Sequence, residues 1–120
     1  MSSKADVRQV GNVAIVDLAG KITLGEGCGL VRGTIKELAN DGNRNILLNL
    51  RNVTYVDSAG LGELVGSYAT ITNLGGQIKL LHAQGKVKDL LAVTKLYTVF
   101  VTFDDEAVAL RSFAADAAGA

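Results

Sequence analysis

One stretch of the chain gathers residue types able to do chemistry: Val56-Asp57-Ser58-Ala59-Gly60-Leu61-Gly62-Glu63. Leu61, Leu64, Val65, Tyr68 and Ile71 recur at helical spacing. A β-like run precedes them, so Ser58 falls at or beside the start of a helix. Asp57 and Ser58 both carry a short side-chain oxygen that can accept the unpaired N–H groups there. One reading stops at that cap, with glycines that let helix and sheet pack closely. A second reading makes the Ser58 hydroxyl a site for phosphate. Exposed N–H groups and the helix dipole favour an anion at a helix start. Phosphorylation there adds about −1.5 to −2 charge, beside Asp57 and Glu63. Gly60, Gly62 and Gly66 each weaken a helix by about 1 kcal/mol against alanine. They also thin the helix so that a partner can approach its backbone. Both readings stay open on this pattern alone.

Other chemistries lack parts. Ser58 has Val56 two residues before it, where a nucleophile elbow needs glycine. The single histidine, His82, is the one candidate base, and nothing in the sequence brings it to Ser58. Gly20-Lys21 and Gly85-Lys86 lack the upstream glycine and the following Ser or Thr of a phosphate loop. Gly25-Glu26-Gly27-Cys28-Gly29 follows no fitting strand–turn fingerprint and reads as a flexible loop for partner contact. The lone cysteine, Cys28, excludes an internal disulfide and a multi-cysteine zinc site. Lys86, Lys88 and Lys95 read as a solvated helix face. The expectation is a protein with no catalytic residues, no metal and no cofactor, and not an enzyme.

The elements that must position Ser58 follow from patterning. With 120 residues, 48% of them hydrophobic and 20% charged, the chain suits one domain with a real core. Twelve basic and twelve acidic residues cancel, so a nucleic-acid footprint is not expected. No apolar run approaches the roughly 18 residues of a membrane span, and the first residues lack a signal-peptide core. No membrane association and a cytoplasmic location are expected. Val7 to Val10 and Val13 to Leu18 flank Gly11-Asn12, a hairpin signal. Gly20 to Gly29 reads as loop, followed by a helix with Leu30, Val31, Ile35 and Leu38 inward. Asn45 to Leu50 reads as a buried central strand. The Ser58 helix comes next, with Leu64, Val65 and Tyr68 toward the sheet. Gln77 to His82 is a strand, Val87, Leu90 and Leu91 mark a helix, and Tyr97 to Phe103 holds the last strand. A final helix opens at Asp104-Asp105-Glu106, with Ala107, Leu110 and Phe113 inward. Strands joined through helices require parallel crossovers. The expected fold is therefore α/β, with a mixed four- to five-stranded sheet, an opening antiparallel hairpin and about four helices. The domain is expected over 1–113, with a disordered tail over 114–120.

The hexamer Asp57-Ser58-Ala59-Gly60-Leu61-Gly62, between a strand and a glycine-spotted helix, resembles the signature of STAS domains, in particular the bacterial anti-sigma-factor antagonists. The similarity extends over the hairpin, Gly20, Ile46-Leu47-Leu48-Asn49-Leu50, the Gly75-Gly76 turn and the Phe103-Asp104-Asp105-Glu106-Ala107 helix start. Ala59 stands where the family usually has a second Ser or Thr, and Thr23 where many members carry an acid. The resemblance implies that Ser58 is phosphorylated by an anti-sigma factor that is itself a serine kinase. The unphosphorylated form would bind that factor and free the sigma factor, and a phosphatase acting on phospho-Ser58 would reset the cycle. The expected contact surface is Asp57, Ala59, Gly60, Leu61, Gly62 and Glu63 with the loop around Lys21 and Thr23, Leu61 serving as anchor. A weak homodimer is also left open. The alternative is a STAS scaffold subunit of a larger signalling or transport-associated complex, with Ser58 inert.

Overall fold

The computed structural model describes residues 3–119, and side chains as far as residue 115. The elements are β1 (Lys4–Val10), β2 (Val13–Ile22), α1 (Glu26–Asn40), β3 (Asn45–Val56), α2 (Ser58–Asn73), β4 (Gln77–Leu81), α3 (Gly85–Val93), β5 (Thr102–Phe103) and α4 (Glu106–Gly119). A 3₁₀ turn, Leu96–Thr98, lies between α3 and β5. One five-stranded sheet has the order β1-β2-β3-β4-β5. β1 is antiparallel to β2, and the remaining pairs are parallel. Gly11, with φ of +59°, closes the hairpin in the backbone conformation that glycine adopts without strain. The expected α/β class, mixed sheet and four helices are all present.

Two cores flank the sheet. On one face Val31, Ile35 and Leu38 of α1, Leu64 and Ile71 of α2, and Val87 and Leu91 of α3 pack on Val16, Leu48 and Leu80. On the other face Ala109 and Phe113 of α4 cover Val13, Ile15, Leu47 and Leu81. β3 is covered on both sides, which is why Ile46-Leu47-Leu48 is unbroken apolar sequence.

Several expected boundaries shift. β2 continues through Gly20 to Ile22 and β3 continues to Val56, because the two extensions pair with each other: Gly20 with Val53, Lys21 with Tyr55, Ile22 with Val56. Gly25 to Gly29 is not a loop: Gly25 precedes α1, and Gly27 and Cys28 are buried in its first turn. The strand expected over Tyr97 to Phe103 shrinks to two residues. Lys95 adopts a left-handed φ of +61°, and Phe100 turns into the core edge-on to Tyr68, ring centres 5.4 Å apart.

Two helix faces also differ from expectation. On α2, Val65 is 37% exposed and Ser67 is buried in its stead. Gly60, Leu64, Ser67 and Ile71 form one line at 3.6-residue periodicity, and Val65 lies about 130° away from it. The Ser67 hydroxyl is satisfied by donating to the Glu63 carbonyl at 2.9 Å. On α4 the buried pair is Ala109 and Phe113, four residues apart; Leu110 is half-buried and Ala107 faces out. The α4 backbone stays helical through Gly119, and Ala120 lies outside the described residues.

Candidate functional site

β3 outruns β4 by seven residues, since Asn49 pairs with the last residue of β4, Leu81. Among the described residues its C-terminal end therefore pairs with β2 alone of the strands. There the Asp57 N–H donates to the Ile22 carbonyl at 3.3 Å. The Asp57 side chain then caps α2, Oδ1 accepting the Gly60 N–H at 2.7 Å. Oδ2 accepts the Leu24 N–H at 3.1 Å. One carboxylate thus ties the start of α2 to the segment between β2 and α1. These donors, Gly60 first and Leu24 second, hold its pKa below the usual carboxylate range.

Because Asp57 does the capping, Ser58 occupies the first helical position, exposed. Of the two residues able to cap, only the aspartate is needed, and the serine is left facing solvent at the positive end of a 16-residue helix. The neighbours predicted from sequence do gather here. Lys21 is exposed and pairs in register with Tyr55; Thr23 is half-buried, and its carbonyl accepts the Cys28 N–H at 3.0 Å. Ala59 is half-buried and Gly62 exposed.

Three of the predicted contacts have other roles. Gly60 is buried, and a Cβ on it would collide with the Ile22 carbonyl; its bareness serves the packing of α2 on β2, not a partner's approach. Gly62 and Gly66, by contrast, face open space. Leu61 leans on the helix-side core and is only half-exposed. Glu63 is not a free charge beside Ser58: its Oε1 accepts from Arg32 Nη2 at 2.6 Å, and its side chain is 11% exposed. It ties α2 to α1.

Sequence reading missed Leu24. It is 81% exposed, and its backbone is fixed by Asp57. The signal was faint, a single leucine between Thr23 and Gly25 in a stretch read as a partner-contact loop around Lys21 and Thr23.

Nucleophilic chemistry at Ser58 has no base. His82 follows Leu81, so along β3 it sits level with Leu50, roughly 25 Å short of Ser58 at strand rise. Cys28 is buried; desolvation, and then the charges of Asp57 and Glu63, push its thiol pKa up. Among the described residues no His, Cys, Asp and Glu side chains cluster as metal ligands, and no helix is long and apolar enough to cross a membrane.

A family model described as the STAS domain matches residues 4–109. An anti-sigma-B factor antagonist of Bacillus subtilis is 31% identical over 96 residues, which are 80% of this chain and 86% of that protein. An anti-sigma F factor antagonist of Paenibacillus polymyxa is 33% identical over 66 residues, 55% of this chain; the match spans little more than half of that relative, 56%. A crystal structure from Thermotoga maritima, of a protein assigned as an anti-sigma factor antagonist, has the same fold. Its TM-score is 0.84 at 25% identity, over 91% of this chain and 93% of that one.

Proposed function

The chain belongs to the STAS domain family, and from that premise we propose that it is an anti-sigma-factor antagonist switched by phosphate on Ser58. In its unmodified form it binds a cognate anti-sigma factor, which is also a serine kinase, and so releases the sigma factor in the cytoplasm. Phosphorylation of Ser58 ends the binding, and a phosphatase restores it. The relatives named above support the role, being called anti-sigma factor antagonists.

The observation that carries the switch is the division of labour between Asp57 and Ser58. Asp57 holds the helix start and the Leu24 segment, while Ser58 stands exposed beside them. A kinase can reach that hydroxyl without unfolding anything. A phosphate there meets the N–H end of α2, so the domain tolerates it. A partner surface fitted to a bare hydroxyl does not, since it would bury an unpaired dianion. Leu24 supplies an exposed apolar side chain for that surface and Gly62 a bare stretch of backbone.

Incubation with the cognate anti-sigma factor and ATP, followed by mass-spectrometric mapping, tests this reading. One phosphate on Ser58 is expected, and none on the Ser58→Ala protein. Phosphate on another residue, or none on the wild type, would overturn it and favour a non-switching STAS scaffold.

A further inference from the structure

β1 is an edge strand: seven residues hydrogen-bonded to β2 on one side only. Its register against β2 runs without a bulge from Lys4 to Val10. It contains no proline, and Val7 and Val10 are 47% and 39% exposed. Such an edge offers a row of unpaired backbone groups to another strand. We propose that the occupant is β1 of a second copy, paired antiparallel about a two-fold axis at Val7, so that the two sheets join into one of ten strands.

Symmetry and charge select that register. A two-fold axis relating two edge strands stands perpendicular to the sheet, and directly opposite residues must point to the same face. With a side-chain period of two, residue i can then meet residue j only when i + j is even. Lys4, Asp6, Arg8 and Val10 point to the α4 face, where Arg8 binds Glu106. Ala5 and Val7 point to the α1 face. An axis at Asp6 sets Asp6 against the partner's Asp6 and Lys4 against the partner's Arg8. An axis at Arg8 sets Arg8 against the partner's Arg8. Both place like charges directly opposite, which is destabilising.

The axis at Val7 uses the full length of the strand. It sets Asp6 against the partner's Arg8 twice, by symmetry, and Val7 against the partner's Val7. Arg8 has a donor to spare. It makes four hydrogen bonds, to Asp17 and Glu106, from the five N–H groups of its guanidinium. Arg8, Asp17 and Glu106 together carry one surplus negative charge, and the partner's Lys4 falls diagonally beside Arg8 in this register. The pairing is short and buries less than a standard stable interface, so the dimer is weak. The axis at Val7 lies level with Val16 in the middle of β2, whereas Ser58 stands past the C-terminal end of β2 beside Ile22, six residues further along, so the dimer and the switch are tested separately.

The test combines sedimentation velocity with cysteine cross-linking. The wild type should shift from monomer to dimer between about 10 µM and about 1 mM, the range of a small interface. Asp6→Lys sets lysine against the partner's Arg8 and should weaken dimerisation at least about tenfold, with an unchanged melting temperature. Val7→Cys, self-opposed at the axis, should form a disulfide dimer under mild oxidation. Ala5→Cys and Gln9→Cys should cross-link when mixed and not singly, and buried Cys28 stays silent. A wild type monomeric throughout, an Asp6→Lys protein that dimerises like wild type, or self-linking of Ala5→Cys would overturn the proposal.

Discussion

Asp57 Oδ2 accepts the backbone N–H of Leu24 at 3.1 Å, joining residues 33 apart in sequence. Its Oδ1 meanwhile caps α2 at Gly60. Asp57→Ala removes both bonds. It should lower the melting temperature by a few degrees and speed amide exchange at Leu24 and Gly60 more than in β3. Asn should restore the acceptor at one position only. A variant with unchanged exchange at Leu24 would show that the carboxylate does not hold the loop.

The glycines of α2 divide into two kinds. Gly60→Ala drives a methyl group into the Ile22 carbonyl and should destabilise the domain by about 2–4 kcal/mol in urea titration. Gly62→Ala enters open space and should stabilise the helix by up to about 1 kcal/mol. Equal effects at the two sites would contradict the packing described for Gly60.

Acid stability should depend on Arg8. Its hydrogen bonds hold the pKa of Asp17 and of Glu106 below their ordinary values, despite partial desolvation. A carboxylate with a lowered folded-state pKa stabilises the fold fully above its unfolded-state pKa. That stabilisation is lost as pH falls through the folded value. Arg8→Met should therefore cost about 1–2 kcal/mol at neutral pH, modest because the group is partly exposed. It should also flatten the fall in stability below about pH 4. An acid limb as steep as the wild type's would assign the effect elsewhere.

Leu24 separates binding from folding. Leu24→Ser alters a side chain that is 81% exposed, so the melting temperature should move by less than about 2 °C. Affinity for the anti-sigma factor should drop about tenfold or more if Leu24 anchors the partner. Unchanged affinity would move the contact surface away from the β2–α1 segment.

The order of elements was legible because each strand and helix carries its own period and the turns are marked by glycine and asparagine. The Asp57-Ser58 corner was legible for the same reason: a strand pattern stops and a helical one begins. What was hidden depends on contacts between distant segments. Val65 is more apolar than Ser67, yet the line through Gly60 and Leu64 buries the serine. Tyr97 to Phe103 has strand-like composition, but β4 offers hydrogen bonds to only a short stretch, and Phe100 is drawn to Tyr68. Gly60 and Gly62 look alike until Ile22 arrives beside one of them. Leu24 is set apart from its neighbours only by the Asp57 carboxylate, 33 residues away, that fixes its backbone.

The most direct measurement is titration calorimetry of the cognate anti-sigma factor with wild type, Ser58→Ala, Ser58→Asp and phosphorylated protein. The hydroxyl and the methyl group should bind comparably. The aspartate and the phosphate should bind about 10- to 1000-fold more weakly, which needs only about 1.4–4 kcal/mol from one misplaced charge. Far-UV spectra should coincide, because Asp57 keeps the helix start in place in every form. Equal affinity for the wild-type and phosphorylated proteins would contradict the switch at Ser58.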